Sequence, residues 1–156
     1  MGRTDYDMTA SYLLSQNFSL SQLVFSETAV RKGIANDPTP EQIVNLTELA
    51  MALERVVQLL GFPITIHSAF RSAKLNAAIG GSPRSAHMDG YACDFTCGQF
   101  GSPLEVCKAI AGSDIPFDQV IAEGTWVHFS ISPALRKETL TAHFDSGKVT
   151  YSTGLV

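Results

Sequence analysis

Ser85-Ala86-His87-Met88-Asp89-Gly90-Tyr91-Ala92-Cys93-Asp94 sets an imidazole and a carboxylate seven residues apart, with a glycine between them. Gly90 allows a sharp turn. His87 is therefore expected on a loop, and Asp94 on a strand spanning Tyr91 to Thr96. Along that strand Tyr91, Cys93 and Phe95 face one way, and Ala92 and Asp94 the other. The small Ala92 beside Asp94 leaves room for a metal and a ligand. A second histidine arrives in Glu123-Gly124-Thr125-Trp126-Val127-His128-Phe129-Ser130, where Trp126, His128 and Ser130 share a strand face. His128 is expected to point into the same cleft, with Trp126 as its wall. Two imidazoles and one carboxylate form a divalent-metal site with an open coordination position, the pattern of a catalytic rather than a structural zinc. The same donors suit non-haem iron. A histidine near a turn is also commonly just solvated or packed in a core, and motif matches carry false positives.

The flanking sequence reads as scaffold. Upstream, Ser19-Leu20-Ser21-Gln22 is a capping-box pattern, with Phe18 and Leu23 placed for a hydrophobic staple; a helix is expected from about Leu20 to Lys32, stopping at Gly33. Thr39-Pro40-Glu41-Gln42 opens a longer helix ending at Gly61, its apolar stripe formed by Ile43, Leu46, Ala50, Leu53, Val57 and Leu60. Pro63 to Ser68 alternates as a strand, and Ala73 to Ile79 is a short helix stopped by Gly80-Gly81. Downstream, Ser102-Pro103-Leu104-Glu105 starts a helix running to about Ala111. Pro116 to Glu123 and Thr125 to Ile131 read as strands joined at Glu123-Gly124. Thr139 to Phe144 and Val149 to Tyr151 form a further hairpin at a sheet edge. The fold class is α+β, with N-terminal helices packed on a small, mostly antiparallel sheet.

A chain of 156 residues is one domain's worth, so 1–156 is read as a single domain with 1–12 as a flexible tail. Hydrophobic residues at 45% and charged residues at 17% can build an ordinary buried core. A net charge of −4 and a pI near 5.5 argue against nucleic acid as a partner, which would call for a basic stripe. No apolar run approaches membrane-spanning length, so no membrane is expected as a partner. Met1 to Ser15 lacks a basic stretch followed by an apolar one, so synthesis in the cytoplasm without a Sec signal is expected. Cys93, Cys97 and Cys107 are odd in number, and Cys93-x-x-x-Cys97 is not a redox pair; free, buried thiols are expected. A Cys97–Cys107 bridge is the alternative. His67 is expected in the core or near the site, His143 at the surface, and Asn76 and Gln119 as structural amides.

The stretch resembles the zinc D-Ala-D-Ala carboxypeptidase family, within the hedgehog/DD-peptidase superfamily. That family's pattern S-x-H-x-x-G-x-A-x-D followed by W-x-H is met by Ser85, His87, Gly90, Ala92 and Asp94, then Trp126 and His128. Ser68-Ala69-Phe70-Arg71-Ser72 with Leu75-Asn76 and Gly80-Gly81 is similar to a second run of the family. Asn17 to Leu20 and Thr39 to Glu41 are similar to its bacterial and phage members. The resemblance spans about Leu13 to Ser130.

It implies one zinc ion bound by His87, Asp94 and His128, with water in the fourth position. It implies Arg71 as the grip on a substrate carboxylate or developing oxyanion, and Ser85 and Trp126 as substrate contacts. In many relatives the catalytic acid stands three residues before the second histidine, where this chain has Thr125. Glu123 is the nearest acid and takes that role in this reading, with Asp118 as a second candidate. The function implied is a zinc peptidase acting on peptidoglycan stem peptides. It would be a monomer working on the cell wall, of the single-domain bacterial or phage type, including virion-associated forms. The competing reading, kept open by Thr125, is a non-catalytic metal-binding or virion-structural protein with the same fold.

Overall fold

The longest helix starts where its capping residues require it. Thr39 Oγ1 accepts from the Gln42 N–H at 3.2 Å, and Gln42 Oε1 accepts from the Thr39 N–H at 2.8 Å. Pro40 fills the first helical position, where its missing N–H costs nothing. In the computed structural model, which describes residues 12–156, this helix runs Pro40–Leu60 and stops at Gly61 in the left-handed conformation. Leu46, Leu49, Ala50, Leu53, Val56 and Leu60 are its buried stripe. Ile43 and Val57, placed on that stripe by spacing, sit at its partly buried margin. Each fully buried leucine there contributes roughly 1.5–3 kcal/mol, so this face anchors the domain core.

The elements in chain order are α1 (Leu20–Val24), α2 (Glu27–Lys32), α3 (Pro40–Leu60), β1 (Thr65–Ser68), α4 (Ala73–Ala78), a 3-10 turn (Ala86–Asp89), β2 (Ala92–Thr96), α5 (Pro103–Ala111), β3 (Gln119–Ala122), β4 (Val127–Ser130), β5 (Glu138–Asp145) and β6 (Lys148–Thr153). The architecture is α+β, as read from the sequence. The expected tail at 1–12 falls almost wholly outside the described residues.

Two local expectations are corrected. The helix expected over Leu20–Lys32 is two helices. Phe25 leaves helical geometry at ψ 133°, and Ser26 caps the second segment by accepting from the Ala29 N–H at 3.1 Å. A serine that can satisfy a free helical N–H favours starting a new helix over continuing the old one. The strands flanking Glu123-Gly124 are shorter than expected, because Glu123 to Trp126 forms the turn between them.

The six strands form one sheet in the order β1-β2-β4-β3-β5-β6. All neighbours are antiparallel except β3 and β5, which run parallel. The β5–β6 hairpin closes through Ser146-Gly147, both at positive φ, and leaves β6 as an edge. Such a two-residue turn matches the natural twist of a hairpin.

The back face carries Cys93, Phe95, Val120, Ala122, Val127 and Phe129, all buried in the core that includes α3 and α5 residues. The three cysteines are free and buried, with Cys107 pushed up to about 12 by burial first and by Glu123 next. His67 is exposed on the edge strand β1, not in the core, with Nε2 2.9 Å from Thr96 Oγ1. His143 is half-buried rather than exposed, its Nε2 2.8 Å from Ser152 Oγ.

Candidate metal centre and cleft

The alternation that buries Cys93 and Phe95 turns Asp94 to the front face. Asp94 pairs with His128 across β2 and β4, His128 with Ile121 across β4 and β3, and Ile121 with Leu140 across β3 and β5. Paired residues share a face, so one row crosses the front of the sheet.

His87 reaches this row from the 3-10 turn. Ser85 caps that turn, its Oγ accepting from the His87 N–H at 3.2 Å. Gly90 ends it at φ +84°, and a Cβ there would meet Gln42 O at 2.9 Å. The turn is pinned to the start of α3. Gln42 Nε2 donates to Met88 O at 3.1 Å and Asn45 Nδ2 to Asp89 O at 2.8 Å. The expected loop around His87 is thus a single capped turn held by the longest helix.

His87 Nδ1 lies 2.6 Å from Ala69 O. A carbonyl only accepts, so Nδ1 carries the proton and Nε2 faces Asp94 Oδ1 at 3.2 Å. His128 Nδ1 faces the same oxygen at 3.1 Å. The ligand atoms of His87, Asp94 and His128 all lie within 4.8 Å of one another. Burial lowers the His87 pKa and favours the neutral imidazole, the form that ligates a metal. Burial also works against the charge on Asp94, but the two imidazoles outweigh it and hold its carboxyl well below the usual range. With Nδ1 committed to Ala69 O, the short Nε2–Asp94 Oδ1 contact needs either a proton on Nε2 or a metal cation between the two atoms. Two imidazoles and a carboxylate converging this way fit a divalent cation such as zinc.

Arg71 leaves β1 beside this group, its backbone N–H donating to His87 O at 3.1 Å. Its Nη1 donates to Asn76 Oδ1 at 3.1 Å, and its Nη2 is 3.7 Å from Asp94 Oδ2. Its Nε is buried without a partner among the described residues. Asn76 Nδ2 in turn donates to Ser82 O at 2.8 Å. A Cβ at Gly81 would collide with Asn76 Oδ1, which explains a glycine there. Asn36, buried and unremarked in the sequence, ties this corner together. It donates to Val24 O and Phe70 O at 2.8 and 3.1 Å and accepts from the Ser72 N–H at 2.6 Å.

Glu123 follows β3 and is half-buried in the same cleft, of about 660 Å3. Burial pushes its carboxyl up; Asp94 adds to that, while His128, Tyr151 and Arg71 pull it back. Thr125 is exposed in the turn. Ser85 and Trp126 also line the cleft, Trp126 at 37% exposure. Asp118 lines it too, but its carboxylate is taken up by Arg136: Oδ1 accepts from the backbone N–H and Nε at 3.0 and 2.9 Å, and Oδ2 from Nη2 at 2.8 Å. That leaves Glu123 as the acid with oxygens to spare. The sequence did not point to Phe144, Val149 and Tyr151, which line the cleft from the C-terminal hairpin. Their strand pattern reads the same whether a hairpin stands free or walls a site.

The chain matches the family model described as Peptidase M15 over residues 16–130. No curated protein matches it.

Proposed function

The chain belongs to the peptidase M15 family, and from that premise we propose that it is a zinc peptidase that hydrolyses peptidoglycan stem peptides, as a D-Ala-D-Ala carboxypeptidase or a related endopeptidase. The observation that carries this reading is the convergence of His87, Asp94 and His128 within 4.8 Å in a cleft that also holds Glu123. Zinc held by these three side chains would supply a Lewis acid for the scissile carbonyl and would lower the pKa of water.

Glu123 acts as the base that takes the proton of the attacking water and returns it to the leaving amine. Its half-buried setting suits a carboxyl that alternates between the two forms. Arg71 presents a planar cation to a substrate carboxylate or to the oxyanion that develops. Asn76 holds Nη1 from behind, which aims the guanidinium. Ser85 and Trp126 contact the peptide. The substrate is met at the cell wall by a monomer, with no nucleic acid or membrane partner. Among the described residues no helix is long and apolar enough to cross a membrane. A phage-encoded or virion-associated enzyme fits this reading.

Digestion of purified muropeptides with and without a chelator tests it. Chelator-sensitive release of amino acid or peptide, restored by zinc, is the expected result. Zinc bound without turnover would instead favour the second reading, a non-catalytic protein of the same fold. The observation behind that alternative is Thr125, exposed in the turn three residues before His128.

A further inference from the structure

Residues 131–156 lie past the family match, yet they wall the cleft. On β5 and β6, Ala142 pairs with Tyr151 and Phe144 with Val149, extending the front face. Two contacts from this hairpin reach the β3–β4 turn. The Phe144 ring packs over Gly124, where a Cβ would come within 2.8 Å of Phe144 Cε2. The hydroxyl of the half-exposed Tyr151 faces Glu123 Oε1 at 3.4 Å, a long hydrogen bond in the metal-free protein.

The Glu123 backbone is fixed by its N–H bond to Trp126 O at 3.0 Å. Its side chain has three torsions beyond that point, and fixing them costs entropy. Among the described residues Tyr151 is the only side chain that hydrogen-bonds the Glu123 carboxylate. A bond to Oε1 leaves Oε2 free to exchange a proton.

We propose that Tyr151 is a positioning residue for Glu123: its hydroxyl holds one carboxylate oxygen so that the other stays turned to the reacting water, while Phe144 on Gly124 fixes the turn beneath. The proposal rests on the reading of Glu123 as the base. It makes the C-terminal hairpin part of the working site rather than an appended edge.

Tyr151→Phe keeps the ring and removes only the hydroxyl. With muropeptides from purified sacculi, zinc content and KM stay unchanged and kcat falls about tenfold, the effect of one lost hydrogen bond. In a Glu123→Gln background the same change costs nothing further. An unchanged kcat, a rise in KM alone, or an equal loss in both backgrounds overturns the proposal. A second measurement needs no turnover. In the metal-free full chain labelled with 13Cζ-tyrosine, Tyr151→Phe identifies the Tyr151 signal in a pH titration. Glu123→Gln is expected to lower the Tyr151 ionisation midpoint towards that of a free phenol; identical midpoints overturn the contact. If zinc-loaded wild type leaves muropeptides intact, the peptidase reading fails, and the titration alone decides whether Tyr151 holds Glu123.

Discussion

Asp94 and His128 stand directly opposite each other on β2 and β4, with His128 Nδ1 3.1 Å from Asp94 Oδ1. Strand register thus brings together two ligand candidates that lie 34 residues apart in sequence. Asp94→Asn and His128→Ala are each expected to lose stoichiometric zinc, measured by elemental analysis of protein purified without added metal. His67→Ala, altering an exposed histidine on β1, is expected to keep it. Full zinc in Asp94→Asn would remove Asp94 from the site.

Glu123→Gln is expected to retain zinc and to lower kcat by about 10²–10⁴, the usual range for a general base. Its pH dependence has a definite sign. On the proposed reading Glu123 works as the carboxylate, and in the metal-free protein burial raises its pKa above the ordinary 4.5. A divalent cation in the cleft would pull it back down, so the expectation is the sign alone: activity rises with pH as the carboxylate forms and falls away in acid. A zinc-loaded Glu123→Gln protein that keeps the wild-type acidic limb contradicts the assignment.

Arg71→Lys keeps the charge and loses the planar fork. A fall of about 10–100-fold in kcat/KM is expected, the size of one or two hydrogen bonds to a charged group. Asn76→Ala should give a smaller fall in the same direction, because it frees Arg71 Nη1 without removing it. Steady-state kinetics at constant zinc content checks both.

Asp118, its carboxylate taken up by Arg136, is expected to serve stability rather than chemistry. Its hydrogen bonds from Arg136 lower its pKa against the opposing effect of burial. A depressed folded pKa gives stability that is present above the unfolded value and lost as pH falls through the folded one. Asp118→Asn should lower the urea midpoint at neutral pH, and the gap to wild type should close in acid. A gap that is constant with pH would mean the carboxylate charge is not what stabilises.

Much of this centre was legible because its spacing follows local rules. Gly90 and the alternation of Cys93, Asp94 and Phe95 are properties of a turn and a short strand, whereas Trp126, expected on a strand face with His128, lies in the turn before β4 and lines the cleft from there. The capping boxes at Ser19, Thr39 and Ser102 set three helix starts for the same reason. What escaped depends on distant partners. The parallel pairing of β3 with β5 is fixed by packing between segments, which no single stretch encodes. Asn36 and Asp118 are polar residues whose roles come from a backbone or an arginine that folding delivers, whereas Asn76 is the structural amide the sequence led one to expect. The break at Ser26 shows a local choice between two helical starts that periodicity alone did not resolve.

The alternation along β2 leaves no slack. Sliding this strand one position against β4 would turn Phe95 to the water and Asp94 towards the hydrocarbon interior. Single-residue insertions or deletions inside β2 or β4 should therefore abolish catalysis and folding together. The Ser146-Gly147 tip, which no ligand depends on, is where length can vary and where a reporter peptide could be spliced in with least harm.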